Sequence, residues 1–525
     1  MKKLIFAVFC VASVMPAAAQ ETYENAKIAA EDLNGTARYV AMGGAMDALG
    51  AEISTMGTNP AGIGLFRRNH ISASFGLVSQ ENASTVLGAD KTNMSFDQAG
   101  IVISVDNSER KQSFINIGFN YHKSRNFDFI LSAVDGLSNA SQNKLTDAKA
   151  KAGLLYPVGP GGTPNFDSPY LSCNQLDAVY ANEINYDPEQ NTWFYENGTK
   201  YMLDRSHTGY IGEYDFNISG NINNRVYLGL TIGVHDVHYK HYGEYTENLL
   251  EYNNPDATYT LTVSDDRKIT GQGYDVKAGI IFRPIEYSPF RVGLSVSTPT
   301  FYKLTTDNYT ELFASGGTYP VPTNEAYDFK LYTPWKFGIS LGHTIGSQVA
   351  LGASYEYADY GSTDTRYITG SYYNYWYDSY TDDSESDNVM NRHTKETLKG
   401  VSTLKLGAEF KPTPELALRV GYNYVSPMYN TDGFKDGTLH SEGSYYSSAT
   451  DYTNWGATNR LTAGVGLNID QFSISAAYQY STTSGEFHPF MNYWDNTSSA
   501  DDNVANMVKV KNNRHQLLLT LGYSF

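Results

Sequence analysis

Charged residues recur at every second position in several segments of this sequence, where they could bind a charged partner. Alternate positions of a β-strand share one face of a sheet, so we expect these side chains to lie together. Arg419 and Arg460 are the two that could pair with a substrate carboxylate. The alternative is a salt-bridge network that fills the space enclosed by the sheet. The residues on this face are Glu213, Asp215, Lys277, Lys336, Glu356, Lys405, Glu409, Arg419 and Arg460.

Other arrangements give little sign of catalysis or metal binding. Ser340 and His343 are near neighbours, but a spacing of three on a strand places them on opposite faces. The acidic run at 382–387 lacks the spacing of an EF-hand loop and is typical of a solvated loop. We find no motif for a metal, a phosphate or a nucleophile. We therefore expect no enzyme activity, no metal site and no cofactor.

The charge balance excludes one class of partner. The chain has 38 Lys and Arg against 56 Asp and Glu, which gives a formal net charge of −18. Nucleic-acid binding needs a basic surface, so nucleic acid is not expected as a partner. An acidic surplus of this kind favours solubility and mutual repulsion of surface loops.

The first residues have the pattern of a signal peptide, predicted to cover 1–19. Lys2 and Lys3 precede an apolar run at 4–15, and an A-x-A cleavage site follows at 17–19. The apolar run is too short to cross a bilayer as a helix. Cleavage would leave Cys173 as the one cysteine, which cannot form an internal disulfide and is expected to be an inert loop residue. We therefore predict an exported chain.

A period of two dominates the rest of the sequence. Near the end, Leu517, Leu519, Leu521, Tyr523 and Phe525 alternate with polar or small residues. Apolar residues facing lipid and polar or small residues facing a lumen are the pattern of a membrane barrel. We predict an all-β, transmembrane antiparallel β-barrel of about 14 strands over residues 69–525. The predicted strands are 69–79, 95–105, 112–122, 207–220, 224–240, 268–283, 289–302, 331–345, 347–358, 399–411, 414–425, 458–469, 471–482 and 507–525.

The connections alternate between short and long without exception. Short periplasmic turns and long external loops are the rule for outer-membrane barrels. The largest loop is 123–206, and 127–155 has helical spacing. The pattern predicts the outer membrane of a Gram-negative bacterium, with outer-membrane lipid and lipopolysaccharide around the barrel and the barrel-assembly machinery as partner during insertion.

Residues 20–68 precede the first strand and are rich in Gly, Ala and Met. Because the lumen widens with strand number, a barrel of this size leaks unless something fills it. We predict an N-terminal plug, or hatch, inside the barrel. The alternative is a disordered periplasmic tail, against which the low charge and small apolar residues argue.

The stretch from Gly43-Gly44-Ala45 to Asn59-Pro60-Ala61-Gly62 resembles the N-terminal hatch of the FadL/TodX family of outer-membrane transporters. Residues 418–422 and 461–480 resemble the late strands of that family more loosely. The resemblance implies uptake of long-chain fatty acids or aromatic hydrocarbons through a lumenal pocket, with hatch movement and lateral exit beside a kinked third strand.

Carried over by position, the resemblance places Asn59, Pro60 and Ala61 against an opening in the wall beside the third strand. Gly118 lies on the inward face of that strand, where it could mark the kink or make room for the plug. Both interpretations remain open.

Two other functions compete with a passive transporter of hydrophobic small molecules. One is a plugged general porin or a structural, adhesive barrel, because the Tyr-rich loop at 372–377 could stack on sugars or ring compounds or form a rigid external surface. The other is a membrane-embedded hydrolase, which would need a Ser–His pair.

Overall fold

The computed structural model describes residues 22–525 apart from 107–112, 152–174, 188, 191, 253, 315–316, 321–324, 376–378 and 440–448. The predicted signal peptide (1–19) and Cys173 lie outside the described residues. The strands are β1 (His70–Gln80), β2 (Thr92–Asp106), β3 (Phe114–Asn126), β4 (Phe129–Ala140), β5 (Tyr186–Asp187), β6 (Thr192–Trp193), β7 (Gly198–Ile222), β8 (Val226–Glu251), β9 (Asn254–Phe282), β10 (Arg291–Ser297), β11 (Phe301–Ala314), β12 (Gly317–Pro320), β13 (Glu325–Tyr332), β14 (Lys336–Ile345), β15 (Val349–Asp359), β16 (Asp364–Asn374), β17 (Ser379–Ser386), β18 (Gly400–Phe410), β19 (Leu416–Val425), β20 (Tyr452–Ile469), β21 (Phe472–His488) and β22 (Val508–Ser524).

Fourteen of these strands form one closed antiparallel barrel. Each strand pairs with the next in the order β1, β2, β3, β7, β8, β9, β10, β14, β15, β18, β19, β20, β21 and β22. The ladder between β22 and β1 closes the ring, with Ala73 opposite Leu521. Closure satisfies every backbone group at what would otherwise be an edge. The predicted 14-strand antiparallel barrel is confirmed.

Side chains alternate between a lipid-facing and an inward-facing side. On β22, Leu517, Leu519 and Leu521 are about half exposed, whereas Leu518 and Thr520 between them are buried. Exposed leucines in such a row need a hydrocarbon environment. Among the described residues, no helix is long and apolar enough to span a lipid bilayer.

The outward face of β8 shows where the bilayer ends. Its outward residues are apolar from Leu228 to Val234 and then become polar at Asp236, His238 and Lys240. The neighbouring strand changes at the same level, because Val234 pairs with Tyr274 and Asp236 pairs with Gln272. Residues beyond this level lie outside the hydrocarbon layer, on the side that carries the long connections.

Several regions predicted to be loops contain strands, including β16 and β17 between residues 359 and 398. Residues 241–267 extend β8 and β9 into a tall hairpin, and much of 303–330 forms β11 to β13. Inward and outward side chains there are both often polar, so no hydrophobic period marks these strands. Pro299 and Pro334 divide the predicted strands at 289–302 and 331–345, because proline cannot donate to a ladder.

The helical interpretation of 127–155 is wrong for its first half. Phe129–Ala140 is a strand paired with the outer part of β7, and the helix α3 begins only at Gln142. The strand buries Ile130, Leu131 and Leu137, a spacing typical of one helix face, but Ile130 and Leu131 lie on opposite faces of the strand and are both covered. The helices α3 (Gln142–Lys151), α4 (Gln175–Tyr180) and α5 (Asn388–Thr397), with the outer strands, form an external cap.

Residues 22–68, the hatch, fill the barrel as predicted. The hatch contains α1 (Thr22–Ala29), α2 (Ala37–Ala41) and the 3₁₀ helices Ile53–Gly57 and Pro60–Leu65. Its upper end reaches the cap, where Thr22 Oγ1 lies 2.9 Å from His393 Nδ1. Most of its side chains are buried against inward strand residues. These residues form an ordered plug and not a disordered tail.

Candidate functional site

The hatch rests on strand glycines at the inner end of the lumen. Gly342, Gly352, Gly407 and Gly421 are paired with one another across four neighbouring strands. A Cβ at Gly352 would lie 1.9 Å from the Ala45 carbonyl oxygen, and one at Gly421 would lie 2.2 Å from the Gly43 nitrogen. Hatch backbone therefore packs directly on strand backbone, which only glycine permits. We call these four residues, with Gly229, Gly279 and Gly293, the glycine belt.

The Asn-Pro-Ala segment lies on the second part of this belt. Asn59 caps the 3₁₀ helix that follows, because its side-chain oxygen accepts a hydrogen bond from Ala61 N (3.2 Å). Pro60 occupies the first helical position, where its missing N–H costs nothing. The motif is thus explained locally by helix capping.

The structure places Asn59, Pro60 and Ala61 against inward glycines of three barrel strands. A Cβ at Gly229 would lie 2.3 Å from the Pro60 carbonyl carbon, and Asn59 covers Gly279 and Gly293. These glycines are on β8, β9 and β10, which are the fifth, sixth and seventh barrel strands. The 3₁₀ helix that Pro60 opens also reaches the third strand, where Asn116 Nδ2 donates to the Ile63 carbonyl oxygen at 2.6 Å.

Gly118 lies on the inward face of the third strand, β3, and is covered by the hatch. A Cβ there would lie 2.1 Å from Met56 Cε. Both ladders pass Gly118 without a change in register, and the irregularity in β3 comes later, between Lys123 and Arg125. These contacts favour the interpretation that Gly118 makes room for the plug.

The two arginines singled out from the sequence have different surroundings. Arg419 donates to Glu409 (Nε to Oε2, 2.6 Å), which Arg38 of the hatch also contacts at 3.1 Å. It is part of a salt-bridge network beneath the hatch. Arg460 lines a lumenal cavity with Glu31, Lys405 and Tyr39. The salt-bridge interpretation therefore fits Arg419, and Arg460 lies where a ligand could reach it.

Arg460 belongs to a group of three arginines around one carboxylate. Arg125 Nη1 lies 3.1 Å from Asp32 Oδ1, and Arg460 Nη2 lies 3.4 Å from the same oxygen. Arg514 donates to the Asn126 carbonyl oxygen (3.5 Å), and within the described part of the chain no carboxylate oxygen lies within 4.0 Å of its guanidinium. We call Arg125, Arg460 and Arg514 the arginine cluster. Its positive surplus suits an anionic group.

An aromatic pocket opens beside the arginine cluster, at the outer end of the lumen. Tyr23 of the hatch stacks on Tyr429 with ring centroids 5.1 Å apart, and Phe129 meets Trp455 edge-on at 5.6 Å. Arg125 and Arg514 line the same pocket, so apolar rings and cations share one surface. The aromatic residues of the pocket are Tyr23, Phe127, Phe129, Tyr239, Tyr429, Tyr452 and Trp455.

Comparison with solved structures identifies the fold of the barrel. A FadL homologue of Pseudomonas aeruginosa superposes with a TM-score of 0.50 at 12% identity, over 94% of this chain and 99% of the other. The barrel has the FadL fold. The toluene transporters TbuX of Ralstonia pickettii (TM-score 0.48, 12% identity) and TodX of Pseudomonas putida (0.45, 11%) are also similar, over 94% of this chain and 99% of theirs. No family model and no curated sequence matches.

Sequence reasoning missed most of the aromatic pocket. Arg125 and Arg514 were not among the expected inward charges, since residues 123–126 were assigned to a loop and the start of the last strand is polar on both faces. The aromatic lining comes from the hatch, from β4, β8 and β20, and from the connections that follow β3 and β19, which no local spacing reveals. The signal that could have found Arg514 is its parity with the inward residues Gln516, Leu518 and Thr520.

Proposed function

We propose that this chain is a passive outer-membrane transporter for hydrophobic small molecules that carry an acidic head, with long-chain fatty acids as the best match. The observation that carries the proposal is the aromatic pocket joined to the arginine cluster. The FadL fold supports it. Aromatic hydrocarbons would stack on the rings of the pocket, but they carry no charge that could pair with the three arginines.

The two halves of such a substrate would gain free energy in different ways. Burial of its apolar chain among the rings contributes about 25 cal/mol per Å² removed from water. Its carboxylate would meet Arg514 and share the cluster with Asp32, and charge-assisted hydrogen bonds of this kind contribute about 1.5–3 kcal/mol each. A neutral solute of the same length would lose the second contribution.

Release is the part of the proposal that needs movement. Below the pocket lies a lumenal cavity lined by Glu31, Lys405, Arg460 and other polar groups, and below that the hatch is seated on the glycine belt. We propose that the hatch shifts and that the substrate leaves sideways through the wall into lipid, where its chain is more stable than in a wet lumen. In the described conformation the ladders of β3 are continuous past Gly118, which corresponds to the closed state. Transport would follow the substrate gradient.

Photo-crosslinking tests where the substrate binds. A fatty acid with a photoreactive group at its apolar end is added to the purified barrel in detergent, and the modified peptides are mapped. We expect labelling at Tyr23, at 127–129 and at 452–455, reduced by excess unlabelled oleate. Labelling confined to the lipid-facing strands, with ion conductance that rises when residues 35–64 are removed, would indicate a plugged general pore.

A further inference from the structure

Six titratable side chains form a buried cluster in the lumen, away from the arginine cluster. Lys277 on β9 holds three carboxylates by one oxygen each. Its Nζ lies 2.6 Å from Glu213 Oε1, 2.9 Å from Asp275 Oδ1 and 3.3 Å from Asp215 Oδ1. The second oxygen of each carboxylate turns towards a histidine, either His122 or His235.

The two histidines are satisfied to different extents. His235 Nε2 makes a hydrogen bond with Asp275 Oδ2 at 2.9 Å, whereas its Nδ1 lies 3.7 Å from Glu213 Oε2 and has no hydrogen-bond partner among the described residues. His122 lies 3.5 Å from Glu213 Oε2 and 3.6 Å from Asp215 Oδ2, which is too long for a hydrogen bond. Asp215 is fully buried, and its Oδ2 makes no hydrogen bond among the described residues. A buried acceptor is thus aimed at His122 without a donor, which is costly unless something else binds there.

We propose that His122, Glu213 and Asp215 bind a divalent transition-metal ion. One ligand atom from each of the three residues can be chosen so that all lie within 4.8 Å of one another. The shortest contacts use different ring nitrogens, since His122 Nε2 faces Glu213 at 3.5 Å and Nδ1 faces Asp215 at 3.6 Å. Metal bonds of about 2.0–2.2 Å place neighbouring ligands roughly 3.3 Å apart, so an ion held by one ring nitrogen requires a side-chain rotation that brings the second carboxylate oxygen to the same nitrogen. An imidazole with two carboxylates suits Zn²⁺, Mn²⁺ or Fe²⁺ and their analogue Co²⁺.

Charge supports a divalent cation at this place. Three carboxylates and one ammonium leave a surplus of two negative charges on the cluster when both imidazoles are neutral. Buried charges are stable only when they are paired or coordinate a metal. His122 and Glu213 border the lumenal cavity, from which water could supply the remaining ligands and through which the ion could enter.

The strand register explains why these residues meet. His122 on β3 is directly paired with Glu213 on β7, and Asp215 lies two residues along on the same inward face. The hatch covers the site, because a Cβ at Gly57 would lie 3.2 Å from His122 Cε1. A bound ion would therefore tie two neighbouring strands together directly beneath a hatch turn. Sequence reasoning predicted no metal site, since the ligands are scattered over 94 positions that only the barrel register brings together.

Metal binding to the purified full barrel in detergent tests the proposal. Co²⁺ is the probe, because its visible absorption reports coordination, and Zn²⁺ is then used to displace it. We expect one Co²⁺ per chain and at least a tenfold loss of affinity in His122→Gln and in Asp215→Asn. The matched control is His238→Gln, an exposed histidine paired with Asp236 outside the barrel wall, which should bind as wild type.

Several outcomes would overturn the metal site. These are no binding of Co²⁺ or Zn²⁺ by the wild type, wild-type affinity in the two ligand variants, or a loss of affinity in His238→Gln as large as that in His122→Gln. If His122→Gln does not fold, X-ray absorption of the Zn²⁺-loaded wild type decides the question. A shell of nitrogen and oxygen with one imidazole supports the site, and a shell of water alone contradicts it.

Discussion

The inner and outer ends of the lumen are closed in different ways. At the inner end, hatch backbone lies on the glycine belt, with contacts such as Ala45 on Gly352 that leave no room for a methyl group. At the outer end, the hatch meets the cap through side chains, with stacked rings and arginines around cavities. Backbone contact makes a seal that depends on shape alone, whereas side-chain contact can recognise a ligand. One plug can therefore seal a barrel and also form half of a binding pocket.

The largest effect is expected from crowding the glycine belt. Gly352→Ala combined with Gly421→Ala would place two methyl groups into hatch backbone, and overpacking costs about 1–3 kcal/mol at each site. We expect a displaced hatch, a lower unfolding temperature and a several-fold rise in ion conductance across planar bilayers. Gly370→Ala is the control, because a Cβ there meets nothing within 4 Å. Unchanged conductance in the double variant would show that the belt is not the seal.

The cap should respond to pH, which the glycine belt should not. Burial raises the pKa of Glu247 to about 7, although Tyr245, Ser141 and the Gln142 N–H donate to it. Glu247 lies on β8 well above the last lipid-facing residue. Because a free glutamate has a pKa of about 4.3, the folded cap holds a proton that the unfolded chain releases, and each pKa unit corresponds to about 1.4 kcal/mol.

The raised pKa of Glu247 determines how the stability of the cap changes with pH. The contribution of protonated Glu247 to the free energy of unfolding is fully present below about pH 4.3 and is lost as the pH rises through 7. We expect amide hydrogen exchange at 141–151, corrected for its intrinsic rate, to be slower at pH 5 than at pH 8. Glu247→Gln should remove the difference, and a difference that persists in this variant would assign the effect to another group.

Arg514→Gln should weaken the binding of an acidic amphiphile by about 10- to 100-fold, since one charge-assisted contact of roughly 1.5–3 kcal/mol is lost. The free energy of unfolding should change little, because Arg514 has a single long hydrogen bond. Arg392→Gln on the exposed face of α5 is the matched control. Equal losses in both variants, measured by calorimetric titration, would mean that binding follows net charge and not the pocket.

The smallest effect is expected at Gly118. A Cβ there would be too close only to the end of the Met56 side chain and in ordinary contact with the Ile101 carbonyl oxygen, so Gly118→Ala should cost about 1 kcal/mol and cause no leak. Met56→Ala costs about 2–5 kcal/mol by itself because Met56 is buried, and in that background Gly118→Ala should cost nothing further. A large loss of uptake in Gly118→Ala at unchanged stability would instead support a kink that opens the wall.

The barrel was predictable because its alternation is imposed by lipid on every strand. Leu517, Leu519 and Leu521 face hydrocarbon, and their period of two needs no tertiary information. The tall hairpin of β8 and β9 was missed because both of its faces meet water or polar groups, so no hydrophobic period remains. The site was harder, since Asp32, Arg125, Arg460 and Arg514 come from four separate parts of the chain. Their proximity depends on barrel closure and on where the hatch lies.

Comparing oleate with oleyl alcohol, which has the same chain without the carboxylate, tests the proposed binding site most directly. Equilibrium binding to the purified barrel is measured for wild type and for Arg514→Gln. We expect wild type to bind oleate at least tenfold more tightly than oleyl alcohol. In Arg514→Gln this preference should largely disappear. Equal affinity of wild type for the two ligands would contradict the claim that the arginine cluster and the aromatic pocket form one site for an acidic amphiphile.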